Sequence, residues 1–313
     1  MPTYLDTPDL FLVVNDARLH YLDWGGPGQP LLFLPGIGEP ASVFKWFAPR
    51  FLPGFRPIAL TRRGTGKSQI IPGTYQLGQL TDDVWTFVQR LGLGPVTVVG
   101  HSYGGFELVR LASAHPSLLR TAIFLDAVYS PEYVALLPQD PVPGPQPPTL
   151  PRTALRSLHD YFSYIRAAYP FTDKEWSLPT EDAWAVDVEI ASDGELREID
   201  RGTVLSDMIA SVKEELLDYS RIPCPVLAIE AFEDQHPNLP PAASAELREK
   251  ADEYQRRENA TKHAALERLR QQKPDARIVT VSDAPHHLYI THSDQVYSYM
   301  AEFLATHAEL RSA

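Results

Sequence analysis

The chain has 313 residues, of which 44% are hydrophobic and 22% are charged, so it can bury a large core as an ordinary globular protein. Its formal net charge of −12 argues against nucleic acid and anionic membranes as partners, because both would require a basic surface. The single cysteine, Cys224, excludes an intrachain disulfide and a cysteine metal cluster. Its position between two prolines predicts a buried structural thiol.

The first residues and the apolar runs predict a cytoplasmic protein. The opening Met-Pro-Thr-Tyr-Leu-Asp lacks the basic region and the long apolar core of a signal peptide. No apolar run approaches the length of a membrane span, so we expect no membrane contact.

The first part of the chain alternates strand-like and helix-like segments, which is typical of a mostly parallel sheet covered by helices on both faces. The pattern predicts an opening hairpin, then four strands and two helices. In chain order these segments are 10–14, 19–24, 31–34, 57–60, 80–91, 95–99, 106–112 and 122–125.

The alternation of strand-like and helix-like segments stops near Pro131, where a long insertion begins. Residues 138–151 are dense in proline and predict an ordered surface crossover, whereas 153–219 are helical in pattern and rich in aromatics. The sheet resumes at 226–229, so roughly 95 residues separate two consecutive strands, far more than a crossover needs. We therefore predict a core domain from 1–130 and 220–313, with a helical cap, 131–219, inserted after the sixth strand. The cap aromatics are expected to form its core more often than to contact a substrate.

The C-terminal part contains a densely charged, helix-forming segment at 242–273. Its pattern predicts a pair of solvated amphipathic helices, and a contact between copies of the chain in a homo-oligomer is the alternative. A last strand at 277–281 and a closing helix at 295–304 complete the predicted fold.

The pentapeptide from Gly100 to Gly104, Gly-His-Ser-Tyr-Gly, lies between a buried strand and a helix. This context is typical of the nucleophile elbow, a strained turn that lifts the hydroxyl of Ser102 out of the sheet. Glycines are required at both ends because a side chain there would collide with the neighbouring strand or helix. The sequence therefore predicts Ser102 as a nucleophile.

A nucleophilic serine needs a base and an acid that orients it, and in this order of motifs both should follow the serine. The loop after the last strand supplies His286 and His287, of which only one can face the sheet edge; they lack the spacing of a metal pair. Asp126 follows the sixth strand and Asp234 follows the next one. Because both strand ends open towards the same crevice, both acids stay candidates at this point.

Two backbone N–H groups are predicted to stabilise an oxyanion. That of Tyr103 follows the nucleophile at the start of a helix, where free N–H groups and the positive end of the helix dipole converge. The second is expected from Ile37, in the loop after strand 31–34, where flanking glycines allow a tight approach.

These motifs resemble the α/β-hydrolase fold family of serine hydrolases, in an esterase-like branch with a helical cap, and the likeness covers nearly the whole chain. The elbow matches in full. Residues 63–68, Arg-Gly-Thr-Gly-Lys-Ser, match a structural turn of the family, whereas Pro35 replaces the histidine that usually precedes Gly36. The resemblance implies an α/β fold with an eight-stranded, mostly parallel sheet and helices on both faces.

The resemblance also bears on the histidine, because the family usually has an acidic residue five positions after it and a proline seven positions after it. Counting from His286 gives Thr291 and Ser293, and counting from His287 gives His292 and Asp294, so neither register matches in full. The distance to the closing helix favours His286.

The family's commonest acid position, after the seventh strand, would be Asp234, whereas a minority that includes the haloalkane dehalogenases uses the end of the sixth strand, where Asp126 stands. The segment before Asp234 has Ala231 and Phe232 in place of the usual small glycine. We therefore predict Asp126 as the triad acid, with Asp234 as the alternative.

The resemblance implies a serine hydrolase that needs no metal and no organic cofactor and acts on a carboxylic ester of a small, fairly apolar molecule. Lactone, amide or carbon–carbon bond hydrolysis would use the same residues and stays an alternative. A receptor-like ligand-binding protein with a decayed triad is the alternative from another functional class. Serine at the elbow, where dehalogenases and epoxide hydrolases of this fold have aspartate, argues against those two reactions.

Overall fold

A computed structural model of the chain describes residues 7–136, 150–168, 176, 181, 184–192, 194–213, 215, 217–234 and 244–307. Ten strands are present in these ranges: β1 (Leu10–Val14), β2 (Ala17–Asp23), β3 (Gln29–Leu34), β4 (Phe55–Leu60), β5 (Val96–His101), β6 (Leu119–Leu125), β7 (Val188–Ile190), β8 (Leu196–Glu198), β9 (Val226–Phe232) and β10 (Arg277–Ser282). The helices of the same ranges are α1 (Leu77–Arg90), α2 (Tyr103–Ala114), α3 (Pro131–Leu136), α4 (Leu158–Ala168), α5 (Val204–Val212), α6 (Ala245–Gln272), α7 (Leu288–Thr291) and α8 (Ser293–His307).

Eight strands form one sheet in the order β1-β2-β4-β3-β5-β6-β9-β10. The pairs β1–β2 and β2–β4 are antiparallel, and every later pair is parallel. The carboxyl ends of β3, β5, β6, β9 and β10 therefore meet at one edge. The predicted α/β fold with an eight-stranded, mostly parallel sheet is confirmed.

The sheet separates two hydrophobic cores, because successive side chains of a strand point to opposite faces. Val98 and Phe124 pack on one face with residues of α1, α2, α5 and α6. Val99 and Leu125, their neighbours in sequence, pack on the other face with α7, α8 and the segment 41–51. This two-sided burial explains why the central strands read as short continuous apolar runs.

The insertion between β6 and β9 holds α3, α4, the β7–β8 hairpin and α5, with a small hydrophobic cluster of its own formed by Tyr161, Ile165, Val188 and Leu196. The expectation of a wholly helical insertion is wrong in one place. The two three-residue strands form an antiparallel pair, and Gly194, which lies between them in sequence, has a φ of 85°. Such strands are too short to interrupt a helical pattern in the sequence. Residues 138–149, which make up most of the predicted proline-rich crossover, lie outside the described residues.

The charged segment forms one 28-residue helix, α6, and the predicted helix pair is therefore wrong. Its sequence contains neither glycine nor proline, so nothing in it ends the helix before Lys273. Cys224 is buried, as expected. None of the described helices is both long enough and apolar enough to cross a membrane.

Candidate active site

The turn between β5 and α2 holds Ser102 in a backbone conformation with φ of 49° and ψ of −118°. A Cβ atom on Gly100 would lie 2.5 Å from the carbonyl oxygen of Gly104. One on Gly104 would lie 2.4 Å from the carbonyl oxygen of Leu34, at the end of β3. Only glycine fits either position, so the two residues allow the strained turn and bring the loop after β3 next to it.

His286 lies in the loop after β10 and contacts the carboxylate that ends β6. Its Nδ1 is 2.6 Å from Oδ2 of Asp126. The Asp126 side chain is only 1% exposed, whereas that of His286 is 44% exposed. The ring is therefore anchored at Nδ1 by a buried carboxylate, while much of the histidine side chain stays accessible.

Asp126 is held by more than the histidine. Its Oδ1 accepts a hydrogen bond from the backbone N–H of Ala231, and the ammonium of Lys262, on α6, contacts Oδ1 at 2.8 Å and Oδ2 at 2.9 Å. Burial by itself would raise the pKa of Asp126, but Lys262 and His286 outweigh it and hold the pKa well below its ordinary value. The group is a carboxylate at neutral pH.

Asp234, the alternative acid, is exposed just beyond the end of β9. The residue against His286 at this edge of the sheet is Asp126, with a φ of 45°. The geometry thus brings His286 together with Asp126. The catalytic role of either acid stays a prediction.

The neighbouring histidines form a network with Glu39, in the loop after β3. Nδ1 of His101 is 3.2 Å from Oε2 of Glu39, and Nε2 of His287 is 2.5 Å from Oε1. Burial, only partly offset by Glu39, lowers the pKa of His101 to about 4. Burial would raise the pKa of Glu39, but the two histidines hold it well below its ordinary value. The rings of His101 and His286 are 4.6 Å apart, so the network borders the triad candidates.

The same three side chains are the ones that could hold a metal ion, since one ligand atom from each lies within 4.8 Å of the others among the described residues. The Glu39 carboxylate already accepts hydrogen bonds from both rings and from the backbone N–H of Gly36. These contacts use the carboxylate to fix the loop after β3, and no metal is needed to hold the three groups together.

That loop is also tied to the core by Arg62. Its guanidinium donates to the carbonyl oxygens of Pro35 and Gly36 and forms a buried two-pronged ion pair with Glu107 on α2, with distances of 2.7 and 2.6 Å. The backbone N–H groups of Ile37 and Tyr103 have no hydrogen-bond acceptor among the described residues. Within the described part of the chain, both predicted oxyanion donors are thus free to bind an acceptor.

Tyr129 is a neighbour of Ser102 that the sequence did not indicate. Its hydroxyl donates to Oγ of Ser102 at 3.3 Å. The ring stacks on Phe106 with a centroid distance of 4.5 Å, and its backbone N–H donates to the hydroxyl of Tyr219 at 2.8 Å. Tyr129 follows Asp126 by three residues, and this position after a predicted catalytic acid was the one signal available for it.

The sequence also did not indicate Lys262 and Glu39 as residues of the site. Lys262 is separated from Asp126 by 136 residues and sits among many charged residues of α6, so no local pattern distinguishes it. Glu39 lies in the predicted oxyanion loop itself, two residues after Ile37, and a carboxylate within a glycine-rich loop was the signal available for it.

Comparison with known proteins agrees with this architecture. Residues 29–293 match the α/β-hydrolase fold family. An N-formylmaleamate deformylase from Pseudomonas putida is 33% identical over 113 residues, which cover 36% of this chain and 42% of that protein. A bifunctional esterase/perhydrolase from Acinetobacter calcoaceticus is 32% identical over 118 residues, again 36% of this chain and 42% of that protein. The matched stretch thus spans less than half the length of each relative.

The structural likeness extends further along the chain. The crystal structure of E-2-(acetamidomethylene)succinate hydrolase superposes with a TM-score of 0.71 and covers 96% of this chain and 99% of that one, at 20% identity. At that identity the likeness concerns the fold. With the family match over 29–293, it leads to one conclusion: the chain belongs to the α/β-hydrolase fold family.

Proposed function

We propose that this protein is a serine hydrolase that cleaves a carboxylic ester, or a related acyl bond, of a small and fairly apolar substrate. The observation that carries the proposal is the 2.6 Å contact between His286 Nδ1 and the buried Asp126 carboxylate, beside a strained turn that presents Ser102. Membership of a hydrolase fold family supports it, as do relatives named as a deformylase and an esterase.

In the proposed reaction, Oγ of Ser102 attacks the acyl carbonyl carbon while Nε2 of His286 takes the hydroxyl proton. Asp126 keeps the histidine proton on Nδ1 and stabilises the imidazolium that forms. The N–H groups of Ile37 and Tyr103 stabilise the tetrahedral oxyanion. His286 then gives its proton to the leaving alkoxide, and a water molecule hydrolyses the acyl-enzyme by the reverse sequence.

The surroundings of Ser102 support an apolar substrate. Tyr129 stacks on both Phe106 and Tyr133 next to the serine hydroxyl. From the insertion, α5 approaches the oxyanion loop, since a Cβ atom on Gly38 would lie 3.1 Å from Leu205. Leu205 is 47% exposed, which leaves an apolar side chain open beside the loop that carries Ile37. Apolar side chains in these positions favour a substrate with aliphatic or aromatic groups over one with charged groups.

The test is an activity panel on the purified full chain, with p-nitrophenyl esters, lactones and aryl amides assayed in parallel. We expect ester hydrolysis to give the highest kcat/KM, and Ser102→Ala to lower it by roughly 10³–10⁶ while the fold is retained. A preference for lactones or amides with the same serine dependence would move the assignment to that alternative. Turnover by Ser102→Ala near the wild-type rate would overturn the serine mechanism.

A further inference from the structure

The hydroxyl of Tyr129 lies against the proposed nucleophile itself. It donates to Oγ of Ser102 at 3.3 Å, and the residue is only 7% exposed. The N–H groups of Ile37 and Tyr103 are expected to bind the carbonyl oxygen of a substrate, whereas Tyr129 contacts the attacking oxygen. The triad and the oxyanion donors therefore leave this contact without a role.

Both the ring and the backbone of Tyr129 are held in place. The ring stacks on Phe106, on α2, with a centroid distance of 4.5 Å, and on Tyr133, on α3, with one of 4.9 Å. The hydroxyl of the buried Tyr219 accepts a hydrogen bond from the backbone N–H of Tyr129 at 2.8 Å and donates one to its carbonyl oxygen at 2.9 Å. These contacts place the Tyr129 hydroxyl before a substrate binds, so the reaction needs no reorganisation of this donor.

We infer that Tyr129 is a catalytic residue, whose hydroxyl stabilises the negative charge that develops on Oγ of Ser102 during the formation and the hydrolysis of an acyl-enzyme. The inference rests on the proposed function, in which Ser102 forms that acyl-enzyme.

The oxygen Oγ of Ser102 carries negative charge twice in such a reaction. In acylation, His286 removes its proton while the bond to the acyl carbon forms. In deacylation, Oγ is the leaving atom and receives a proton back from His286. A hydrogen bond to a charged oxygen is stronger than one to the neutral hydroxyl of the resting enzyme, so Tyr129 would lower both barriers. Tyr129 keeps its own proton in every step.

The state of the phenol and the length of the contact agree with this role. Burial raises the pKa of Tyr129 well above its ordinary value, so the hydroxyl stays protonated at neutral pH and remains a donor. The 3.3 Å contact is longer than the roughly 2.7–2.8 Å of an ordinary O–H···O bond. Catalytic hydrogen bonds are often long in a free enzyme and shorten when the substrate is bound.

The experiment compares Tyr129→Phe, which removes the hydroxyl and keeps the stacked ring, with Tyr161→Phe. Tyr161 is the matched control, because it is 3% exposed and its hydroxyl also donates at 3.3 Å, to the carbonyl oxygen of Trp184 within the insertion. On a p-nitrophenyl ester, we expect Tyr129→Phe to lower kcat by about 10–100-fold, the range for a hydrogen bond to a charged group. KM should stay within about twofold, because acylation and deacylation slow alike. Tyr161→Phe should keep the wild-type kcat and KM.

A second measurement follows the attack of Oγ without ester turnover. The rate of fluorophosphonate labelling at Ser102 should fall by about 10–100-fold in Tyr129→Phe, because attack on phosphorus involves the same charge on Oγ. Thermal melts check that both variants fold. A raised KM with unchanged kcat and labelling would mean that Tyr129 only contacts the substrate. A lowered melting temperature with unchanged rates would mean that it only supports the fold. Either result would overturn the inference.

The two measurements separate this inference from the proposed function. If the wild type hydrolyses no ester, lactone or amide but is labelled at Ser102, and Tyr129→Phe is labelled 10–100-fold more slowly, the hydrolase proposal fails and the role of Tyr129 on the serine stands. If ester hydrolysis depends on Ser102 but Tyr129→Phe matches the wild type in both measurements, the proposed function stands and the role of Tyr129 is wrong. A wild type that is neither active nor labelled overturns both.

Discussion

At the scale of single residues, the two adjacent histidines have different partners. His286 contacts the buried Asp126 carboxylate, whereas His287 contacts Glu39. We expect His286→Ala to lower kcat by roughly 10³–10⁶, because the base is lost, and His287→Ala to lower it far less, through loosening of the loop after β3. Steady-state kinetics of both variants, each checked for folding by circular dichroism, makes the comparison. Equal losses, or a larger loss for His287→Ala, would contradict this assignment.

The order of the motifs led to the candidate residues but left alternatives, and only the family resemblance favoured His286 and Asp126. The order of the motifs restricted the catalytic histidine to two adjacent positions. It restricted the acid to Asp126 or Asp234, because the strands before both residues end at the same edge of the sheet. What distinguishes Asp126 in the structure is tertiary: the loop after β10 brings His286 to it, and α6 brings Lys262. Contacts across 160 and 136 residues leave no periodicity or spacing that a single sequence could reveal.

At the scale of elements, the loop after β3 depends on Arg62. One guanidinium fixes two loop carbonyls and pairs with Glu107 on α2, so it couples the loop that carries Ile37 to the helix that begins at Tyr103. Lysine keeps the charge but cannot make the two-pronged contact together with the carbonyl bonds. We expect Arg62→Lys to lower kcat by about 10–100-fold, because the proposed oxyanion donor on this loop would stabilise the transition state far less once it is displaced.

The adjacent Arg63 is a matched control for this variant. It is fully buried and pairs with Asp83 and Asp16, away from the loop after β3. Arg63→Lys should lower the melting temperature but change kcat of the folded fraction by no more than about twofold. Kinetics and thermal melts on both variants decide the matter. An equal drop in kcat for the two would show that Arg62 supports the fold alone.

Most of the elements could be predicted because their physical signals are local. Buried parallel strands read as apolar runs, and the glycines of the elbow mark a turn that no other residue fits. The β7–β8 hairpin was not predicted because a strand of three residues is too short to show an alternating apolar pattern. Such strands are stabilised by pairing with each other more than by the β-propensity of their own residues. The prediction of two helices in place of α6 was wrong because densely placed charged residues do not break a helix, and the segment contains neither glycine nor proline.

At the scale of the whole molecule, buried groups near the site predict how stability depends on pH. The pKa of His101 is lowered by burial from 6.5 to about 4, so the unfolded chain binds a proton there before the native protein does. His101 makes its full contribution to the free energy of unfolding above pH 6.5. As the pH falls towards 4, this contribution decreases by up to about 3 kcal/mol. The lowered pKa values of Glu39 and Asp126 add a further loss below about pH 4.

Urea unfolding at a series of pH values between 7.5 and 4 (~0.5 unit apart) tests this prediction. The free energy of unfolding of His101→Asn should fall clearly less between pH 6.5 and 4 than that of the wild type, because the substitution removes the group with the lowered pKa. His159→Asn serves as the control, because His159 is exposed and its removal should leave the slope unchanged. Parallel curves for the wild type and His101→Asn would contradict the burial argument.

The central claim, that Ser102 is a nucleophile activated by His286 and Asp126, is tested most directly by covalent labelling with a fluorophosphonate, followed by mass spectrometry of the labelled peptide. We predict that the wild type is labelled at Ser102, and that Ser102→Ala and His286→Ala are not labelled. Asp126→Asn should slow labelling by roughly 10⁴ through loss of the correct histidine tautomer, whereas Asp234→Asn should label at nearly the wild-type rate. An unlabelled wild-type protein, or labelling that is slowed by Asp234→Asn and not by Asp126→Asn, would contradict this account.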